Sequence, residues 1–283
     1  EREEKTILLI LVTGDRGLAG AFNANIIKTA VRFLEANAGK NIDIEAIGRK
    51  GRDFFRRRYP AANPAEPAGS PADAASASVG AKRKAQVQIT GEHIGVLNQL
   101  SFADARKIAE EAIARYTREQ IDSVYLIFNE FKSVIAQRLV VDQVLPVKEI
   151  GERAVREATE LSVEERERAA EAAARAGVSL QEHDTGEVDR RAGQFGTADV
   201  DYIYEQPPEQ LFRALLPKYV AVQMYRAMLE SVAAEHAARM TAMDSASNNA
   251  TEMIDSLTLS MNRARQASIT KEIIEIVSGA AAL

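Results

Sequence analysis

Three glycines, Gly14, Gly17 and Gly20, follow an apolar run and precede a helical pattern. A strand, a glycine loop and a helix N-terminus in that order can cradle a phosphate, because unpaired backbone N–H groups there attract anions. The spacing argues against it. It matches neither G-x-G-x-x-G nor G-x-x-x-x-G-K-[ST], and no lysine–hydroxyl pair follows. A structural turn that also contacts another protein is the better reading. A second candidate is RKGRDFFRRR, residues 49–58, where basic residues surround two phenylalanines. Such a mixture can place arginines on phosphates and aromatics on bases. With a net charge of −5 and no nucleic-acid-binding motif, a helix with Phe54 and Phe55 in the core and a solvated basic face is favoured. His93, His183 and His236 lie far apart, and the chain has no cysteine, so neither metal-ligand spacing nor a disulfide is present. No Ser–His–Asp or paired-carboxylate arrangement can be assigned. The residues therefore predict no catalytic group, no cofactor, no metal and no nucleic-acid partner.

The elements that carry these residues read as an open α/β sheet. Lys5 to Thr13 (KTILLILVT) is apolar without alternation, the pattern of a strand buried on both faces. A helix is predicted over Asn23 to Glu35, with Ile26, Ile27, Ala30, Val31 and Leu34 as its apolar stripe. Ile42 to Ile47 reads as a second strand, followed by the basic helix. Pro60 to Gly80 shifts to alanine, proline, serine and glycine, too little apolar bulk to offset the entropy of ordering. A flexible stretch is expected over 60–97, with Val87 to Ile89 restoring a short strand. Ser101-Phe-Ala-Asp104 opens a capped helix, Ser123 to Phe128 is a buried strand, and Val134 to Val147 holds a further one. The charged region 151–197 is expected to be a surface insertion with a helix from Ser162 to about Gly177. Val200 to Tyr204 is expected to return as a strand. The division predicted is 1–206 for the α/β foot domain and 207–283 for a long helix. The fold expected is an open, mostly parallel, Rossmann-like sheet with flanking helices.

After Pro217 there is no proline, and the next glycine is Gly279. Nothing in that span breaks a helix, and at 1.5 Å per residue it would be roughly 90 Å long. Such a helix must lie along a partner or protrude. It carries a seam at three-and-four spacing: Val222, Tyr225, Leu229, Val232, His236, Met240, Met243, Ser247, Ala250, Ile254, Leu257 and Met261. Small residues around it, including Ala233, Ala234, Ala237, Ala238 and Ala242, permit a second helix to approach closely. His236, Met240 and Met243 are read as packed seam residues.

The stretch from His236 to Leu283 (HAARMTAMDSASNNATEMIDSLTLSMNRARQASITKEIIEIVSGAAAL) resembles the C-terminal helix of the gamma subunit of F-type ATP synthases. TGDRGLAGAFNANI at 13–26, IGRKGRDFFRRR at 47–58 and FNEFKSVIAQR at 128–138 extend the resemblance through the α/β part, in family order. The resemblance implies a non-catalytic rotor whose coiled coil penetrates a ring of alpha and beta subunits while its foot sits on the membrane c ring. It implies beta-subunit contacts at Asn262, Arg263, Arg265 and Gln266. It implies an apolar collar around Ile269, Ile273, Ile276 and Val277, and contacts of Tyr204 and Glu205 with the c ring and the epsilon subunit. It also implies an N-terminal helix antiparallel to the C-terminal one. Nothing before Glu1 supplies it, so the sequence is expected to hold half of the coiled coil. The location implied is the cytoplasmic face of a bacterial inner membrane, reached only through the complex, since the longest apolar run (Ile7 to Val12) is too short to span a bilayer. From the residues alone, a nucleotide-binding α/β enzyme with a coiled-coil tail and a self-associating coiled-coil scaffold remain alternatives.

Overall fold

The computed structural model describes residues 2–59, 86–147, 154–178 and 207–281. Among the described residues, six strands and five α-helices follow one another as β1 (Thr6–Val12), α1 (Phe22–Ala36), β2 (Asn41–Ile47), α2 (Arg49–Arg58), β3 (Val87–His93), α3 (Phe102–Thr117), β4 (Ser123–Phe131), β5 (Gln137–Leu145), β6 (Ala154–Glu160), α4 (Val163–Ala176) and α5 (Pro208–Ala281). The strands form one mixed sheet in the order β3-β2-β1-β4-β5-β6. Pairings among β3, β2, β1 and β4 are parallel, and β4–β5 and β5–β6 are antiparallel.

The central strand β1 is TILLILV, with Ile7 to Val12 fully buried. Successive side chains of a strand point to opposite faces, and both faces are apolar here because both are covered. Leu8, Ile10 and Val12 join α3 and the start of α5 in one core, with Leu126, Phe128 and Met224. Ile7, Leu9 and Leu11 join α1 and α2 in the other, with Ile26, Phe33, Phe55 and Tyr125. Each such side chain contributes about 1.5–3 kcal/mol on removal from water. Phe55 is a core residue as the sequence predicts, and Phe54 packs edge-on against it with ring centres 5.2 Å apart.

Two regions differ from expectation. β3 lies inside the stretch expected to be flexible over 60–97, and is longer than the short strand predicted. Ile44 of β2 faces Ile89, and the pairing runs from Ile42 to Ile47. Residues 60–85 lie outside the described residues. The insertion expected over 151–197 supplies the edge strand β6, pairing with β5 from Arg138↔Glu160 to Gln143↔Ala154. Its sequence AVREATE is polar because an edge strand needs little apolar surface. The following helix α4 matches its predicted bounds. Ser162 and Glu165 form a reciprocal capping box, and Gly177 closes the helix in the left-handed conformation at φ 67°. The strand expected over Val200 to Tyr204 falls outside the described residues.

Helix α5 runs unbroken from Pro208 to Ala281, roughly 110 Å at 1.5 Å per residue. Pro208 begins it, where the missing N–H costs nothing. Pro217 lies inside it and leaves the carbonyl of Arg213 without its usual helical donor. None of the helices among the described residues is long and apolar enough to cross a membrane.

Candidate functional site

The glycine loop sits at the carboxyl ends of the parallel strands, where open α/β sheets bind their ligands. Here the protein's own carboxylates occupy that crevice. Asp15 accepts hydrogen bonds from the backbone N–H of Arg49 at 2.9 Å and of Gly95 at 3.0 Å. It thereby takes the anion position at the N-terminus of α2. Glu235 of α5 lies directly over Gly14, so that a Cβ there would stand 2.6 Å from its Oε1. Ser231, one helical turn earlier, donates a 3.4 Å hydrogen bond to the carbonyl of Val12. Arg239 pairs with Glu235. A pyrophosphate would meet negative charge in this space, so the glycines serve close packing of the long helix on the loop. The loop also leaves Leu18 75% exposed at a positive φ of 62°, an apolar side chain presented to solvent.

Helix α5 has two distinct apolar faces. One packs on the body: Val220, Ala221, Met224, Ala227, Met228, Ser231, Ala234 and Ala237 are buried. Ala234 joins the core on the α1 side, and Ala237 packs against Ala169 and Ala173 of α4 and against Val134. The small residues there bring α5 close to the sheet and to α4. The sequence reading assigned them to a partner helix, because a stripe of alanines identifies a close approach without identifying what approaches. Beyond Arg175, which pairs with Asp244 at 2.8 Å, the helix leaves the body.

Most of the predicted seam lies on another face. Val222 (51%), Leu229 (44%), Met243 (44%), Ile254 (62%), Leu257 (63%) and Met261 (60%) are exposed. His236 and Ala250 are exposed as well, and Val232 and Met240 are half-buried. His236 was expected to be packed; among the described residues nothing covers it. Tyr225 and Val232 pack against the body core, Tyr225 meeting Phe102 edge-on at 5.5 Å between ring centres, and Met240 packs against the cluster of Val134, Ala169 and Ala173. At the far end Arg263, Arg265 and Gln266 are exposed and Asn262 is half-buried against its own helix. Ile269, Ile273, Ile276 and Val277 are exposed at 49–71%. Tyr204 and Glu205 lie outside the described residues. The helix thus presents an apolar stripe over several turns with no cover among the described residues, a feature of surfaces that receive another chain or segment.

Among the described residues, one group has the chemistry of a metal site: Glu45, His93 and Glu111, with ligand atoms within 4.8 Å of one another. The arrangement is an ion pair. His93 Nε2 lies 2.7 Å from Glu45 Oε1, in contact across β2 and β3. Burial disfavours the imidazolium, but the hydrogen bond and charge of Glu45 and the charge of Glu111 outweigh it and raise the His93 pKa. A raised folded pKa gives stability that is complete below the unfolded value near 6.5 and is lost as pH rises through the folded value. His93→Gln is therefore expected to flatten the pH dependence of stability above pH 6.5. The difference should be about 1 kcal/mol, the order of a pair at the solvent edge, and urea titrations on both sides of that pH would measure it. An equal slope in the variant would refute the ion pair.

The sequence profile of the ATP synthase family matches residues 1–283. The ATP synthase gamma chain of Solibacter usitatus is 44% identical over 274 residues, covering 97% of this chain and 71% of that one. That of Anaeromyxobacter sp. strain Fw109-5 is 39% identical over 284 residues, covering 100% of this chain and 74% of the relative. Among solved structures, a chain of the Euglena gracilis mitochondrial ATP synthase superposes with a TM-score of 0.56 at 16% identity, over 99% of this chain and 73% of that one, which is a likeness of fold. A six-stranded mixed sheet, a helix that overruns it by tens of ångströms and these relatives agree: the chain belongs to the ATP synthase gamma-chain family.

Proposed function

We propose that this chain is the central-stalk rotor of a bacterial F-type ATP synthase, with α5 as the shaft inside the ring of alpha and beta subunits. The α/β body is the foot, resting on the membrane c ring and the epsilon subunit. The observation that carries this reading is the exposed apolar stripe of α5, which continues from Val222 to Val277 and far outreaches the body that anchors the helix. Catalysis belongs to the complex. The chain's part is mechanical: an asymmetric shaft favours one beta-subunit conformation over another by differential contact, and rotation changes which subunit is favoured. Arg265 and Gln266, with Asn262 and Arg263 beside them, are the proposed polar contacts to the beta subunits, since an arginine fork can engage carboxylates or carbonyls in pairs. Ile269, Ile273, Ile276 and Val277 are proposed to enter an apolar collar at the top of the ring. Tyr204 and Glu205 are proposed to meet the c ring and epsilon. Membrane attachment then comes through those partners, on the cytoplasmic face.

The test is reconstitution. The full-length chain mixed with alpha and beta subunits is expected to form a complex that survives size exclusion and hydrolyses ATP with rotation of a probe fixed to the foot. Failure of the chain to enter any complex with those subunits would remove the rotor reading.

A further inference from the structure

A cavity of about 780 Å³ opens beside the point where α5 leaves the body. Helices α1 and α2 cover one face of the sheet over its parallel half, and no described helix continues that layer over β5 and β6. The floor of the gap is the antiparallel half of the sheet. Its walls are α1 on one side and α4 on the other, and α5 runs across it from Ala238 to Ser245.

The lining includes largely buried polar side chains. Asn129 of β4 lines the cavity and is only 9% exposed, and its side-chain amide makes no hydrogen bond to any described residue. Thr29 of α1 lines it as well, at 5% exposure, with its hydroxyl equally without a partner. Their polar atoms are reachable from the cavity and free to bond whatever enters it. An unpartnered amide and an unpartnered hydroxyl facing one cavity suit a polar occupant.

The charge of the walls gives its sign. Lys28 and Arg32, one turn apart on α1, and Arg168 on α4 all line the cavity and have no carboxylate partner among the described residues. The two acids of the lining are already engaged: Glu160 pairs with Arg166, and Glu165 accepts from the backbone N–H of Ser162 at 2.9 Å. The N-terminus of α1 also opens here. Ala21 holds its cap position, no side chain caps it, and its first turn has no acid, so its partial positive charge is uncompensated. Cations on two walls, a bare helix N-terminus and an unpartnered buried amide are together the lining of an anion site. The volume falls within the range of ordinary small-molecule pockets.

We propose that this cavity binds a small phosphorylated anion, up to the size of a nucleoside phosphate, at the junction of foot and shaft. The phosphate sits between Lys28, Arg32 and Arg168, and Asn129 hydrogen-bonds the ligand. A ligand held there touches α1, α4 and α5 at once, and so ties the base of the shaft to the body. This goes beyond the rotor reading and stands or falls separately from it.

The experiment is calorimetric titration of the full-length chain, without alpha or beta subunits, with inorganic phosphate, ADP and adenosine in turn. Phosphate or ADP is expected to bind and adenosine is not. The K28A/R32A double variant, whose changed side chains are exposed and support no part of the core, is expected to lose at least about tenfold in affinity. Asn129→Leu should lower affinity while the K28A/R32A variant reports on charge alone. ADP binding about tenfold or more tighter than phosphate identifies a nucleotide-sized ligand, and equal affinities identify the phosphate group by itself. No binding of either up to about 10 mM, adenosine binding as tightly as ADP, or undiminished binding by K28A/R32A would each overturn the proposal. Co-assembly of the same variants with alpha and beta subunits keeps this outcome separate from the rotor test.

Discussion

Gly48→Ala is expected to destabilise the chain by about 3–5 kcal/mol, a large share of the roughly 5–15 kcal/mol that holds a typical domain folded. Gly48 joins β2 to α2 at φ 95°, a conformation that an L side chain adopts only under strain. A Cβ at this position would stand 1.9 Å from the backbone oxygen of Thr13, far inside any contact distance. The neighbour cannot move aside. Thr13 donates its N–H to the carbonyl of Ile47 at 2.8 Å, and its hydroxyl bridges Ile47 and the N–H of Gly51. Relief of the clash would separate β1 from β2 at the centre of the sheet. Gly39→Ala is the control, because nothing lies within 4 Å of the added carbon there. Thermal and urea unfolding of the two variants gives the comparison. A Gly48→Ala midpoint within a degree or two of the parent would show that this turn is softer than its geometry implies.

The second large effect is on assembly and leaves the fold alone. The R265A/Q266A double variant is expected to unfold like the parent, because both side chains project from the free part of α5 and touch nothing in the body. Its affinity for the ring of alpha and beta subunits should fall by about 10- to 100-fold, corresponding to the loss of charge-assisted hydrogen bonds worth about 1.5–3 kcal/mol. Equilibrium binding to the ring would measure the first quantity, and ATP synthesis by the reconstituted complex would report coupling. Unchanged affinity together with unchanged synthesis would reassign the contact to other residues of the shaft. A lowered melting point would instead show that these side chains support the helix itself.

Much of the molecule could be read from local pattern. The buried character of β1 and of Ser123 to Phe128 in β4 follows from their apolar runs, β2 alternates apolar residues with the acids Asp43 and Glu45, and the capping boxes at Ser101 and Ser162 appear as written in the sequence. The absence of helix breakers announced α5. β6 was missed because AVREATE carries neither a clear apolar alternation nor a β-branched run, and it becomes a strand by pairing with β5 at the sheet's edge. The cavity beside α5 was equally hidden. Lys28, Arg32, Asn129 and Arg168 are scattered along the chain, and no spacing rule links an exposed helix face to a strand a hundred positions later.

The two faces of α5 mark the division between what the sequence determined and what the tertiary structure decided. The sequence by itself determined that this is one long helix with an apolar stripe and many small residues, because helix breakers and side-chain periodicity act locally. It could not decide which apolar positions meet the body and which are left for another chain, because both kinds are apolar and both recur at three-and-four spacing. Only the folded sheet settled that. Its breadth and the position of α4 bury Met224, Met228, Ala234 and Ala237 and leave Val222 and Leu229 facing outward. The same packing brings Glu235 over Gly14, filling the crevice that a glycine loop would otherwise offer to a phosphate.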